Sequence, residues 1–248
     1  MSGHSKWATI KHKKAKEDAV RGALFTKLIR EISTIARQGG GDPDKNPALR
    51  KAMETAKASR MPKENIERAI KRGTGELPGV SYEPVTYEGY GPGGFAIFIE
   101  ALTDNKNRTT SEIRHLFSKY GGSLGSNGCV GWMFVDKGII YVDKGETDED
   151  KLISICLEQG GEDVVLEGDV FTITTSVAKF ESAKKALEKE GIKYKDAELT
   201  KLPQSTVKLE GARASQALKL MNLIEEQDDV QKAYANFDIP DEILEKEG

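Results

Sequence analysis

Thiols, histidines and long apolar runs are all scarce in this chain of 248 residues, and each shortage excludes a class of function. Its two cysteines, Cys129 and Cys156, stand far apart and in no C-x-x-C pair. Neither a disulfide framework nor a cysteine zinc site is supported, and buried reduced thiols are expected. The histidines are His4, His12 and His115. His4 and His12 have no carboxylate between them and match no common ligand spacing, so no metal and no cofactor is expected. No apolar run approaches the roughly 20 residues needed to cross a bilayer, so membrane association is not expected. The start of the chain lacks the apolar core of a secretion signal, and its basic character is soon broken by Glu17 and Asp18. A cytoplasmic location is expected.

What the chain has in quantity is charge, unevenly placed. Residues 1–79 carry 18 Lys or Arg against 9 Asp or Glu, a net of +9. Residues 80–248 carry 19 against 31, a net of −12. The whole-chain value of −3 hides this division, since a basic module and an acidic body nearly cancel. A basic end attracts a polyanion, and the Lys-rich opening GHSKWATIKHKKAK is the obvious surface for a nucleic-acid backbone.

Periodicity divides the chain further. Residues 17–73 read as three helices. Val20, Leu24, Leu28, Ile32 and Ile35 line one face of the first, broadened by Phe25, Ile29 and Ala36, and the run Gly39-Gly40-Gly41 stops it. Lys27, Arg30 and Arg37 are expected to project on the far side. Asn46 and Pro47 form an N-cap and first-turn pair for the second helix. The third runs over 62–72 with Gly73 as its stop and Lys71 and Arg72 in its last turn. GTGELPGV, residues 73–80, is a linker. Beyond it come strands at 82–88 and 95–102, a helix at 109–120 opened by a Thr109 to Glu112 capping box, and a strand at 130–135. Residues 138–199 follow the βαββαβ order of a ferredoxin-like unit. A last strand, helix and strand cannot build a core alone, but joined to the 82–135 segment they complete a sheet with two helices. The expected fold class is therefore α+β and multi-domain. An N-terminal three-helix domain (1–79) precedes two α/β-sandwich domains, the last of them, ferredoxin-like (136–203), inserted into the second (80–135 with 204–248). Trp132, Met133 and Phe134 read as sheet core or an inter-domain contact.

Motifs that could signal an enzyme fail on context. GYGPGG, residues 89–94, fits G-x-G-x-x-G, yet a dinucleotide fingerprint must open a helix and this one precedes the strand FAIFIEAL. GGSLG, residues 121–125, fits G-x-S-x-G, yet a nucleophile elbow needs a strand before it and a helix after, and no histidine follows Ser123 to complete a triad. The acidic run Glu146, Asp148, Glu149 and Asp150 reads as the charge cluster of a helix N-terminus. The polar stretch TDNKNRTT offers Lys106 and Arg108 to RNA, although capping accounts for most of it. No enzymatic activity is expected.

Several long blocks carry a resemblance. GHSKWATIKHKK, LFTKLIREI, GGGDP-x-x-NP, MPKENIERAIKRGTGE, YEGYGPGGFAIFIEALTDNKNRT and FSKYGGSLG-x-x-G-x-V-x-WMF together closely resemble the YebC family, the probable transcriptional regulators of the YebC/PmpR type. The mitochondrial translational activator of cytochrome oxidase is a relative of that family. The resemblance spans nearly the whole chain and implies a three-domain, non-enzymatic regulator that binds nucleic acid. Described members bind promoter DNA, and others act on translation at the ribosome. The residues assigned to nucleic acid are Lys6, Trp7, Lys11, His12, Lys13, Lys14 and Lys16 of the arm, with Arg21, Lys27, Arg30, Arg37, Lys71 and Arg72 of the helices. Trp7 either stacks on a base or docks on its own domain. For reading base edges the third helix offers Asn65 and Arg68, a thin set, while a Lys-rich arm grips phosphate of DNA or of ribosomal or messenger RNA alike. Transcription leads because the family label favours it, and translation, with ribosome association, is the alternative. A third reading is a scaffold whose acidic domains hold a basic protein.

Overall fold

The three-helix face predicted from periodicity builds a core of its own. The computed structural model describes residues 19–240. In it α1 (Ala19–Gly39), α2 (Pro47–Ala58) and α3 (Lys63–Thr74) pack through Leu28, Ile32, Ala36, Leu49, Ala52, Ile66 and Ala69, with Met61 closing the gap between the last two helices. Asn46 caps α2, its Oδ1 accepting from Leu49 N at 3.1 Å. Its amide nitrogen donates to Gly40 O at 2.9 Å, so one buried side chain ends one helix and starts the next.

Gly73, expected as the stop of the third helix, lies inside it instead. A Cβ at Gly73 would stand 2.3 Å from Ser33 O and 2.9 Å from the Ala36 Cβ, so the missing side chain is what lets α3 meet α1. The stop is Gly75, left-handed at φ 84°. Gly73→Ala is therefore expected to cost about 1–3 kcal/mol by overpacking against backbone, more than the ~1 kcal/mol that Ala gains in helix propensity. Gly22 sits in the same helical layer, and a Cβ added there would meet nothing within 4 Å, so Gly22→Ala should be neutral or stabilising. Urea unfolding of the two variants checks the contrast.

The described residues divide into two compact units, 19–131 with 206–240, and 132–205. In the first, the helices are followed by an antiparallel sheet in the order β3-β1-β2-β9, made of β1 (Glu83–Tyr90), β2 (Ala96–Thr103), β3 (Ser123–Leu124) and β9 (Val230–Ala235). Alternation turns Tyr87, Ile97, Ile99 and Ala233 to one face, where α4 (Lys106–Lys119) and α7 (Gly211–Glu226) cover them with Ile113, Phe117, Ala217 and Met221. A short parallel pair, β8 (Val207–Lys208) with β10 (Phe237–Asp238), closes that end. Residues 91–94 form the hairpin loop between β1 and β2, Gly91 N donating to Phe95 O at 2.8 Å.

Two local expectations are corrected. The helix after β2 begins at Lys106, capped by Asn105 Oδ1 from Arg108 N at 3.1 Å, so the Thr109 to Glu112 box lies within it. The strand expected at 130–135 is absent, and Gly131–Met133 is a single helical turn. The reason is Glu88, a buried carboxylate on β1 that accepts from Gly128, Val130 and Gly131 N–H at 2.7, 2.8 and 2.7 Å. Those donors are no longer free for a ladder, and the charge-assisted bonds outweigh the lost pairing. Burial raises the Glu88 pKa and these three bonds lower it further, for a net decrease.

The second unit holds β4 (Phe134–Asp143), α5 (Glu149–Glu158), β5 (Gly161–Glu167), β6 (Val170–Ser176), α6 (Phe180–Lys189) and β7 (Asp196–Pro203). Its sheet order is β5-β6-β4-β7 with every neighbour antiparallel, as a βαββαβ unit requires. Both helices lie against Ile140, Val142, Phe171 and Ile173. Cys156 is buried among them, its thiol pushed up to about 11 by burial. Phe134 is buried, but Trp132 is 68% exposed and forms no part of a sheet core.

Candidate nucleic-acid interface

Seven of the thirteen assigned residues, Lys6, Trp7, Lys11, His12, Lys13, Lys14 and Lys16, lie outside the described residues. Arg21 is in the first turns of α1. The remaining five separate into two groups with different chemistry.

Lys27 and Arg30 do not project outward, and that expectation is corrected. Lys27 Nζ donates to Glu225 O at 2.5 Å, meeting a carbonyl of the last turn of α7, where a helix lacks backbone donors and its dipole favours a cation. Arg30 lies one turn further along α1 with only 11% of its side chain exposed. Its Nη1 donates to Asp229 Oδ1 and to Asp228 O, and lies 3.5 Å from Leu102 O, while its guanidinium sits 5.2 Å above the Tyr82 ring. Asp229 is 4% exposed and is the centre of the arrangement. Arg108 Nη2 donates to Asp229 Oδ2 at 2.7 Å and to Asp104 Oδ1 at 2.9 Å. Thr109 Oγ1 donates to Asp229 Oδ2 at 2.5 Å. Burial pushes the Asp229 carboxyl up, but the bonds from Arg108 and Thr109 and the charges of Arg30 and Arg108 hold it below the ordinary range. The network ties the helical layer to the sheet. Arg108, read as reaching toward RNA, is spent on it, and Lys106 pairs with Glu83 at 2.8 Å.

Arg37, Lys71 and Arg72 form the second group, and all three are exposed. They occupy the last turns of α1 and α3. Ser33 Oγ donates to Ala69 O at 2.9 Å and Gly73 lies against Ser33 and Ala36, so the two helices run side by side to the same end. That close approach gathers the three cations where two helix dipoles also place partial negative charge. Around them, residues 19–79 still carry 13 Lys or Arg against 7 Asp or Glu, so the layer is basic without the arm. The exposed face of α3 interleaves Glu64 and Glu67 with Lys63 and Arg68, a poor row for base edges.

A polar hollow beside the Asp229 network has the opposite character. Asp104, Glu112, Glu226, Asp228 and Asp229 line it against Arg30 and Arg108, which gives it the wrong sign for phosphate. Among the described residues no group of three or more His, Cys, Asp or Glu is placed to hold a metal ion. Among them, too, no helix is long and apolar enough to cross a membrane. Ser123 lies on β3, after a helix and opposite Tyr90, away from the geometry of a nucleophile elbow.

The residue that sequence reasoning missed is Asp229. It lies in the run Glu225-Glu226-Gln227-Asp228-Asp229, which reads as a solvated loop, and no local pattern marks which of its carboxylates turns inward.

Comparison with known proteins covers both parts of the chain. The family model described as the TACO1/YebC protein N-terminal domain matches residues 5–76, and that of the TACO1/YebC second and third domain matches residues 82–237. A probable transcriptional regulatory protein of Desulforapulum autotrophicum is 57% identical over 245 residues, covering 99% of each chain. One of Dictyoglomus thermophilum is 58% identical over 246 residues, again 99% of each. Among solved structures, the conserved hypothetical protein Aq1575 from Aquifex aeolicus matches with a TM-score of 0.84 and 52% identity, over 97% of this chain and 99% of that one.

Proposed function

Because the chain belongs to the TACO1/YebC family, we propose that it is a nucleic-acid-binding regulator of gene expression, with DNA as its leading target and transcription as the process it regulates. The observation that carries this reading is the charge division, +9 over residues 1–79 against −12 over the rest. The names of its relatives, probable transcriptional regulatory proteins, support DNA over RNA. Binding is assigned to the N-terminal arm together with Arg37, Lys71 and Arg72 at the joined ends of α1 and α3. The labour divides with the chain. Residues 1–79 contact the polymer, while 80–135 with 204–248, and 136–203 inserted between them, form an acidic body that phosphate repels. The work is done in the cytoplasm and without turnover.

One observation favours a second reading. The mixed charges on the exposed face of α3 leave no row of base-reading side chains, so phosphate contact without sequence readout suits folded ribosomal or messenger RNA as well, and with it a role in translation. Titrating the full chain onto duplex DNA and onto folded ribosomal RNA tests both. With six or more phosphate contacts, affinity should fall about 1,000-fold between about 50 and 200 mM salt. Failure to bind either polymer at low salt would sink the proposal. Sequencing the nucleic acid crosslinked in cells separates its two branches, since promoter fragments support the first and ribosomal or messenger RNA the second.

A further inference from the structure

The sheet of the 132–205 unit has a second face, opposite the one covered by α5 and α6. Strand alternation turns the neighbours of Ile140, Val142, Phe171 and Ile173 to that side. The register sets them in rows: Asp163, Thr174, Ile139 and Glu198 form one, and Val165, Thr172, Tyr141 and Asp196 the next. Glu167, Val170 and Asp143 form a third. The floor of this face is buried although both helices of the unit lie on the other side. Ile139 is 1% exposed, Thr172 3%, Thr174 5% and Tyr141 7%. Its margins are acidic, with Asp163 and Glu167 on the β5 edge, Asp196 and Glu198 on the β7 edge and Asp143 at the end of β4. The Tyr141 hydroxyl is pushed well above its ordinary value, first by burial and then by Glu198, Asp196 and Glu167.

A covered floor inside a ring of carboxylates calls for an occupant with apolar side chains and dense positive charge. We propose that the occupant is the chain's own N-terminal segment, residues 3–16, docked across this face. The segment carries Lys6, Lys11, Lys13, Lys14 and Lys16 and no acidic residue, which sets five ammonium groups against five carboxylates. Trp7 and Ile10 supply the apolar contacts. Extended, its length of roughly 45 Å exceeds the roughly 15 Å across four strands, so it crosses the face with residues to spare. The docked arm hides the lysines assigned to phosphate, so nucleic acid must displace it, and the acidic sheet acts as an internal competitor. The docking stands on the sheet face alone, whereas the competition rests on the proposed nucleic-acid role of the arm.

Zero-length carbodiimide crosslinking of the full chain, read by mass spectrometry, tests this. Amide links from the arm lysines to Asp163, Glu167, Asp196 or Glu198 are expected, formed within one copy when isotopically light and heavy chains are mixed. Asp196→Lys with Glu198→Lys should lower their yield about tenfold, since attraction is replaced by repulsion at two sites. Adding Lys11→Glu and Lys13→Glu should restore links with the polarity exchanged. The arm pair alone, which alters no residue of the sheet, should lower the yield as well, and circular dichroism checks that the sheet variants stay folded. Links between copies would assign the face to a second molecule and overturn the proposal, as would links absent from these carboxylates or unmoved by either pair. With duplex DNA added, loss of the links as DNA binds supports the competition. Links that persist while DNA is bound would overturn the competition and leave nucleic-acid binding standing. Links without DNA binding at any salt would retain the docking and remove the nucleic-acid reading.

Discussion

Replacing Asp229 by Ala is expected to destabilise the protein by about 3–5 kcal/mol, the cost of removing one partner from a buried ion pair. Most of that comes from Arg30. Its side chain is 11% exposed, and without Asp229 its guanidinium keeps only carbonyl acceptors while remaining out of water. Arg108 is 42% exposed, can turn to solvent and keeps Asp104, so Arg108→Ala should cost nearer 1 kcal/mol. A urea titration of both variants decides the ranking. Equal losses would mean that Asp229 serves Arg108 and that Arg30 is incidental. Because the network joins α1 to the loop between α7 and β9, the Asp229 variant should also expose the seam between the helical layer and the sheet, seen as faster hydrogen exchange around Leu102, whose N–H donates to Asp229 O at 2.8 Å.

The same carboxylate gives a pH dependence with a definite sign. The Asp229 pKa is lowered in the folded state, so its contribution is fully present above the unfolded value of about 3.9 and is lost as pH falls through the folded value. The stability gap between wild type and Asp229→Asn should therefore be constant near neutrality and narrow below about pH 4. A gap that widened with acid would contradict the assignment.

How far the sequence could be read depended on whether a residue's partner was near it in the chain. Asn46 followed by Pro47 announced the start of α2 because capping is local, and Asn46 takes up that role. The alternation of β2 and the spacing of Ile113, Leu116 and Phe117 on α4 likewise gave the elements and the face they bury. Gly73 misled because a glycine near a helix end serves equally as a stop or as a gap for a neighbouring helix, and only the distance to Ser33 O distinguishes them. Thr109 misled for a related reason, its hydroxyl being spent on Asp229, 120 residues away. Arg30 was the costliest case. Helical spacing placed it off the apolar stripe, which ordinarily means solvent, but the sheet meets α1 on that side and supplies a carboxylate. Of the interface, the exposed cations Arg37, Lys71 and Arg72 were legible from last-turn positions, whereas their meeting at one end required the packing of α1 on α3.

The largest effect on binding is expected from the arm. Replacing Lys11, Lys13, Lys14 and Lys16 together by Ala should lower the slope of log affinity against log salt by up to about three to four units, since each phosphate no longer held by an ammonium group removes about one. The loss should be nearly independent of base sequence, because an ammonium group on a flexible stem reads charge and not donor pattern. Replacing Arg37, Lys71 and Arg72 by Ala provides the internal standard. Those three are fixed on helix ends, so they should remove at most about three units and should discriminate between polymers if the spacing of phosphates matters. Thermal unfolding of both variants should match wild type, because the altered helical side chains are exposed. If the quadruple variant leaves the slope unchanged on duplex DNA and on folded ribosomal RNA, the arm is not the binding element and the helix ends must carry the contact. If it loses affinity for only one polymer, the arm follows the shape of that polymer, and the choice between transcription and translation is made by the same titration.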